Sequence, residues 1–212
     1  RNMASVNAPR GLTLAKKNGD GSNSTGIRTI DLNHASPKVA SALIPADIFT
    51  GDPVFIDTLG TIRPNTADAD ERAAGVFQGC SFVNGSGEQK FAKSIVGGVT
   101  ATDVKIHIAS DPDQTFFIQS NVGVTTSANP IGVGVWNVPW VLGTGSHRTG
   151  NSAYVMDGDG NTQAVSNLRV IRRAPWDTGT STSAGITDAF PWYEVRINTH
   201  MDNFTTTTVS AS

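Results

Sequence analysis

The chain has 212 residues, of which 16% are charged, and its 16 Lys and Arg against 18 Asp and Glu give a formal net charge of −2. This length is enough for one domain with a sizeable core and extensions, or for two small domains. Without a basic excess we expect no nucleic-acid partner, and without an apolar run of roughly 18 residues we expect no membrane partner.

The first 26 residues differ from the rest of the chain. Residues 1–26 are rich in Gly, Asn, Ser and Lys and contain few large apolar side chains. Such a composition cannot offset the entropy lost on ordering, so the segment is predicted to be an extended N-terminal arm that gains order on a partner. We predict that Val6, Pro9, Arg10 and Leu12 contact another chain.

From residue 27 onward the apolar residues recur with a period of two or in short β-branched runs, separated by clusters of Gly, Pro, Asn and Asp. This pattern predicts an all-β domain over residues 27–200, built as an antiparallel sandwich or a barrel-like sheet. Ser36–Ala42, with serine at the cap and proline at the first helical position, predicts at most one short helix. The predicted strands are Ile27–Leu32, Pro53–Asp57, Gly75–Val83, Lys90–Ile95, Asp103–Ala109, Thr115–Gln119, Ala153–Met156, Leu168–Arg172 and Trp192–Asn198.

Two of these strands alternate apolar and polar residues, namely Asp103–Ile108 and Tyr193–Asn198. An antiparallel strand with one solvated face shows this alternation, so their polar residues, Glu194 among them, are predicted to face water. Between two strands lies Asn84–Glu88, whose Asn-Gly pair tolerates the positive φ of a tight turn. We predict a hairpin there.

Two further segments carry no regular pattern. Residues 121–151 are rich in Gly and mostly aperiodic, which is typical of a long interaction loop in a β protein. Residues 201–212 are rich in Thr, and this composition suits either an edge strand or a loose C-terminal tail.

The tryptophans are the most distinctive side chains. Trp136 and Trp140 flank Pro139, and Trp176 follows Pro175. Large amphipathic rings on rigid loops are typical of contact surfaces, where Trp often dominates the binding energy. The same rings are equally suited to closing the ends of a sandwich core, and the sequence leaves both interpretations open.

No set of residues has the spacing that catalysis requires. The nucleophile-elbow, dinucleotide-binding and phosphate-loop motifs do not occur. Asp111 and Asp113 flank a proline, which favours a turn over an acid/base pair. The single cysteine, Cys80, lies in a predicted strand and is interpreted as a buried thiol. We predict no catalytic residue.

Metal binding is not predicted either. The four histidines are dispersed along the chain, without the short spacing that places two ligands on one strand or helix. Asp157–Asn161 resembles the opening of a calcium loop, but Thr162 stands where that loop has glycine and Leu168 where it has a bidentate glutamate. A turn explains this segment better, so no metal and no cofactor are expected.

An ordered set of segments resembles the head decoration, or cement, proteins of tailed bacteriophages. The similar segments are Asn7–Leu12, Ile48–Val54, Ala74–Phe82, Asp111–Gln119, Gly143–Ser146, Thr149–Ser152, Leu168–Arg173 and Glu194–His200. Together they extend over nearly the whole chain. The chain departs from the family pattern in the Val133–Trp140 insertion and in its Thr-rich tail.

The resemblance implies a non-enzymatic structural protein of the virion. Proteins of this family bind the outer face of an icosahedral head, often as trimers, and hold neighbouring capsid subunits together. The expected partners are therefore the major capsid protein and further copies of this chain in a homotrimer, and the protein would be made in the host cytoplasm. The alternative is a carbohydrate- or receptor-binding β module of a phage tail or fibre. A glycosidase would need a facing carboxylate pair that the sequence does not reveal.

Overall fold

The protein is all-β, as the sequence predicts. The structure, a computed structural model, describes residues 7–15, 26–32, 44–57, 60–65, 71–121, 137–158, 166–177, 180–182, 185–187 and 190–202. No α-helix occurs within these ranges. The short helix predicted at Ser36–Ala42 lies outside the described residues.

Seventeen strands form within the described part of the chain. They are β1 (Thr13–Leu14), β2 (Ile27–Asp31), β3 (Ile48–Phe49), β4 (Pro53–Ile56), β5 (Ile62–Pro64), β6 (Gly75–Asn84), β7 (Gln89–Ala92), β8 (Ser94–Ile95), β9 (Ala101–Ala109), β10 (Thr115–Gln119), β11 (Asn137–Val138), β12 (Trp140–Val141), β13 (Val155–Met156), β14 (Leu168–Arg173), β15 (Thr180–Thr182), β16 (Gly185–Thr187) and β17 (Trp192–Ile197).

Two large antiparallel sheets dominate the architecture. The five-stranded sheet has the order β1-β10-β17-β14-β11, and the six-stranded sheet has the order β2-β9-β6-β4-β5, with β7 also paired to β6. Two-stranded ribbons form from β3 with β8, β12 with β13 and β15 with β16. Several antiparallel sheets packed together in this way are consistent with a β-sandwich.

All nine predicted strands are confirmed, with shifts at their ends. The largest change is at Lys90–Ile95, which divides at Lys93 into β7 and β8 of different sheets. The carbonyl of Lys93 accepts hydrogen bonds from the amide and the hydroxyl of Thr50, at 2.9 and 2.7 Å. This contact lies at the point where the chain leaves its pairing with β6 and begins to pair with β3.

The predicted hairpin at Asn84–Glu88 is also confirmed. It joins β6 and β7 in antiparallel register, and the side-chain oxygen of Asn84 accepts from the amides of Ser86 and Glu88 at 3.0 and 2.9 Å. The positive φ falls on Gly87, at 80°, instead of on the Asn-Gly pair. Glycine adopts this conformation without the steric penalty of a Cβ.

Several short strands were not predicted. The most consequential is β1, which lies in the segment predicted to be an arm and pairs with β10 through Thr13 opposite Phe117 and Leu14 opposite Phe116. Residues 7–15 of that segment therefore pack on the β domain. The predicted loop region 121–151 likewise contains β11 and β12.

Two hydrophobic cores stabilise these sheets. The first is built from β10, β11, β14 and β17 of the five-stranded sheet, together with the ends of β6 and β9 and the β12–β13 ribbon. The second lies on the six-stranded sheet and is closed by β3 and β8. Alternation along β9 explains why the cores are separate, because Val104, Ile106 and Ile108 all point to one side of the strand, into the second core.

No helix in the described residues is long and apolar enough to cross a membrane.

Candidate functional site

The surface that best fits a binding role is the outer face of the five-stranded sheet, the side directed away from the first core. Phe116, Val170 and Val195 point into the core, so the residues beside them on each strand point outward. Pairing between strands places the outward residues in two neighbouring rows. These rows are Thr13, Phe117, Glu194 and Arg172, and Thr115, Arg196, Arg169 and Asn137.

A tight turn after β14 carries Trp176 over this face. In the turn Ala174–Asp177 the last amide donates to the first carbonyl at 3.0 Å, and proline at the second position fixes one φ. The carboxylate of Asp177 pairs with Arg173 at 3.1 Å and accepts from the amide of Trp192 at 2.5 Å. These contacts join the turn to both β14 and β17, so the tryptophan is held by a rigid support.

The indole of Trp176 forms an aromatic pair with Phe117, which is half-buried. The ring centroids lie 4.2 Å apart with an interplanar angle of 63°, an edge-to-face arrangement. Because Phe117 is on β10 and the turn follows β14, the indole reaches across β17, which lies between those strands. Trp176 nevertheless remains 59% exposed.

One polar residue of this face contradicts the sequence prediction. Glu194 was predicted to face water, but its side chain is only 1% exposed and pairs with the guanidinium Nε of Arg172 at 2.5 Å. It points away from the core, as the alternation predicts. It is covered because Phe117 and Arg172 flank it in register while Trp176 crosses its strand.

A second ion pair lies in the neighbouring row. Arg196 contacts Asp113 at 3.2 Å, and the carboxylate is 72% exposed. Asp113 belongs to the predicted turn after β9, which is confirmed by hydrogen bonds from the amides of Asp113 and Gln114 to Asp111 at 2.9 and 3.0 Å. An exposed pair of this kind contributes little stability, because solvent and salt screen it.

The residues predicted to contact a partner from the N-terminal segment lie in different environments. Leu12 is buried in the first core, and its amide donates to the carbonyl of Gly51 at 2.9 Å. Pro9 is half-buried and Arg10 is exposed. Val6 lies outside the described residues. Only Pro9 and Arg10 of this group therefore present described surface to a partner.

The tryptophans divide between the two interpretations. Trp140 is fully buried in the first core, on β12, where it pairs with Met156 of β13. Trp176 is exposed on the outer face. Trp136 lies outside the described residues. Of the predicted contact residues, Trp176 is therefore the one placed on the described outer face, where it contacts Phe117 and where Arg169 and Arg172 also lie.

The described histidines and the cysteine are engaged separately. His107 contacts the hydroxyl of Thr29 at 3.0 Å, and His147 contacts Asp47 at 2.7 Å. His200 is buried, and that burial lowers its pKa. Cys80 is buried as predicted, and burial raises the pKa of its thiol to about 11. Among the described residues no group of three or more His, Cys, Asp or Glu is placed to hold a metal ion.

The sequence pattern did not predict the arginines of the outer face. Positions 169 and 172 lie on opposite faces of a regular strand, and the irregularity between Val170 and Arg172 places both arginines on the outer face, so their spacing in the sequence does not reveal the pair. Comparison of the chain with protein-family models, curated proteins and solved structures found no match.

Proposed function

We propose that this chain is a non-enzymatic structural protein of a bacteriophage head. In this role it binds the outer surface of the icosahedral shell and stabilises contacts between capsid subunits. The proposal begins from the ordered resemblance to cement proteins, which extends over nearly the whole chain. A single structural observation supports it further, namely the rigid, exposed tryptophan on the outer face of the five-stranded sheet.

The composition of that face suits a protein interface. Trp and Arg are the residues most enriched among those that dominate binding between proteins. Trp176 is held by a turn that is hydrogen-bonded to two strands, so little side-chain freedom would be lost when a partner covers it. Arg172 lies in the same row of the sheet as Phe117, and Arg169 and Arg196 lie in the neighbouring row, so the face also carries planar groups that form directional hydrogen bonds.

The proposal is tested with heads assembled from the major capsid protein of the same phage genome. The purified chain should sediment with these heads, and coated heads should rupture at a higher temperature than bare ones. Bovine serum albumin at equal concentration is the control for non-specific coating. Failure to sediment, together with equal rupture temperatures, would remove the proposed function.

A carbohydrate- or receptor-binding role is the second candidate. The observation in its favour is that Trp176 shares a face with the exposed polar pair of Arg196 and Asp113, and sugar-binding sites combine aromatic rings with polar side chains. Screening the chain against host cell-surface glycans distinguishes the two functions. Glycan binding that is lost in Trp176→Ala, without binding to heads, favours the second candidate.

A further inference from the structure

Two strands of the six-stranded sheet have one side that no described strand pairs with. Among the described strands, β2 pairs with β9 alone and β7 pairs with β6 alone. Where β7 is present the sheet therefore runs β2-β9-β6-β7, and β2 and β7 are its two edges. An edge strand presents a row of backbone donors and acceptors with which another chain can pair.

In β2, the backbone groups of Ile27 and Thr29 point away from the sheet. The carbonyl of Gly26 accepts from the amide of Ser110 of the neighbouring chain segment at 3.3 Å. Residues of an antiparallel strand turn their backbone groups alternately toward and away from the partner strand. Counting from Gly26, Ile27 and Thr29 therefore face outward, and both residues are exposed.

In β7, the backbone groups of Gln89 and Phe91 point outward in the same way. The amide of Asn84 donates to the carbonyl of Glu88 at 2.9 Å, where the hairpin begins. The residues that follow Glu88 point alternately away from β6 and toward it, so Gln89 and Phe91 face outward. Both of these residues are exposed as well.

The two edges also present apolar side chains on the same face of the sheet. Ile30 and Ala92 pack against the second core, so Ile27 and Phe91 point to the solvent face, the side directed away from that core. Ile27 is 51% exposed and Phe91 is 77% exposed. Large exposed apolar residues on open edge strands favour association with another chain.

We propose that β2 of one copy pairs with β7 of the next copy, so that the six-stranded sheet continues from protomer to protomer in a closed ring. This inference rests on the proposed function and deepens it, because it names the surface through which copies of the chain assemble. Successive strands from β2 to β7 are antiparallel, so these two edges run in opposite directions. A rotation axis along the strands preserves the directions, and the new pair is then antiparallel like the others.

The outward backbone groups allow a register in which the exposed apolar residues meet. Ile27 opposite Phe91 of the next copy places Thr29 opposite Gln89, and both are hydrogen-bonded pairs of the new ladder. Ile27 and Phe91 then cover one another on the solvent face, as directly opposed residues of neighbouring strands do.

The charges on the other face are compatible with this register. Arg28 lies opposite Lys90 of the next copy and diagonally from its Glu88. The carboxylate of Glu88 contacts Lys90 at 2.8 Å and is 62% exposed, so it can lie between the two cations. The acidic side chain thereby offsets the repulsion between Arg28 and Lys90.

A second copy fits better through unlike edges than through like edges. Pairing of β2 with itself about a two-fold axis would leave β7 and Phe91 uncovered. Pairing of β7 with itself would leave β2 and Ile27 uncovered. The heterologous arrangement covers both edges of every copy, provided that the rotation closes the ring.

The first test is a disulfide between the two edges. In Ile27→Cys with Phe91→Cys, the cysteines of one chain are separated by three strand spacings, or about 14 Å, too far for a disulfide within the chain. A disulfide between these positions, identified by peptide mass mapping, therefore joins two copies. Trp176→Cys with Val96→Cys is the control, because both residues are exposed and neither lies on β2 or β7.

The second test weakens the edge without cysteines. Ile27→Lys places a charge on the edge strand, which opposes pairing, and Val96→Lys is its matched control because both side chains are 51% exposed. Thermal unfolding of each variant establishes that it is folded. Sedimentation velocity at several concentrations measures self-association, and co-sedimentation with heads of the major capsid protein is measured separately.

We expect mild oxidation to link the edge double variant into closed oligomers, while the control pair and each single-cysteine variant remain unlinked. Ile27→Lys should raise the dissociation constant for self-association by about tenfold or more, while Val96→Lys associates like wild type.

Three results would overturn the inference. They are a wild-type chain that is monomeric at every concentration, a disulfide in Ile27→Cys or Phe91→Cys alone, which reports two-fold pairing, and cross-linked ladders that do not close. Binding of heads by the chain in any of these cases leaves the proposed function standing. Assembly through β2 and β7 without any binding of heads has the opposite meaning.

Discussion

At the scale of single residues, Asp52 is the least expected feature of the protein. Its carboxylate is buried at the turn between β3 and β4 and accepts a hydrogen bond from the amide of Phe49 at 2.8 Å. Burial raises its pKa from 3.8 to about 6. Nearby, the backbone of Gly51 accepts from Leu12, so the carboxylate lies where the N-terminal segment joins the domain.

We predict that Asp52→Asn makes the protein more stable at neutral pH. The raised pKa means that the folded state binds the proton of Asp52 more tightly than the unfolded state does. Stability contributed by this group is therefore complete below about pH 4 and is lost as pH rises through about 6, by up to about 3 kcal/mol. Asparagine keeps an oxygen for the amide of Phe49 and carries no charge. Urea unfolding between about pH 4 and 7 should show a flatter trend for the variant than for wild type.

Glu88→Gln is the control for this experiment. Lys90 and then Asn84 lower the pKa of the Glu88 carboxyl, so its contribution is present above the unfolded pKa and is lost as pH falls below about 4.5. Removing this carboxylate should leave the slope between about pH 5 and 7 unchanged. An identical slope in wild type and Asp52→Asn would show that the buried carboxylate does not titrate in this range.

Among the elements, the β6–β7 hairpin allows the effect of backbone strain on stability to be measured without a change in packing. A Cβ added at Gly85 or at Gly87 meets no atom within 4 Å, but only Gly87 has a positive φ, of 80°. We predict that Gly87→Ala lowers the free energy of unfolding by about 1 kcal/mol, because an L-residue is strained in that conformation. Gly85→Ala should differ from wild type by less than about 0.5 kcal/mol. Equal unfolding midpoints for the two variants in urea would contradict the assignment of strain.

The N-terminal segment gives a second prediction at this scale. Leu12 is buried in the first core, whereas Arg10, two residues earlier, is exposed. Leu12→Ala should destabilise the isolated protein by about 3 kcal/mol, the cost of lost burial and a cavity, and Arg10→Ala by less than about 0.5 kcal/mol. Chemical unfolding of the free protein measures both. A negligible effect of Leu12→Ala in the free protein would support the alternative that this segment orders only on a partner.

Most of the fold could be predicted because the long strands carry their own pattern. β6, β9 and β10 each have period-two or β-branched sequences bounded by turn residues, so the local sequence is sufficient to predict these strands. β1 and β3 have two residues each, too few for a period, and exist because distant strands pair with them. The local composition of the N-terminal segment therefore predicted an extended arm, whereas pairing with the distant strand β10 makes part of this segment an edge strand.

The candidate site was less predictable, for a related reason. A proline precedes both Trp176 and Trp140, and it is typical of an exposed turn. That interpretation is correct for Trp176, whereas Trp140 is buried. Only the packing of β12 on β13 distinguishes them. The burial of Glu194 also depends on Trp176 reaching across a strand, which no spacing within the sequence reveals.

At the scale of the whole molecule, a cement protein must hold several capsid subunits at once, and a closed oligomer does this with weak individual contacts. We predict that the chain is a homotrimer in solution. Each engaged protomer raises the effective concentration of the others at neighbouring sites. If each contact contributes about 1.4 kcal/mol, three joined contacts increase retention by up to about a thousandfold before geometric losses. Native mass spectrometry measures the oligomer number directly.

The consequence for the shell is measured by comparing release from heads at increasing dilution. A trimer that engages three sites should dissociate far more slowly than a monomeric variant with the same outer face, because all three contacts must open together. At equal numbers of occupied sites, heads coated with the trimer should therefore rupture at a higher temperature than heads coated with the monomeric variant. A monomer in solution that protects heads as well as the assembled form would show that stabilisation comes from each contact alone, and multivalency would then have no part in the function.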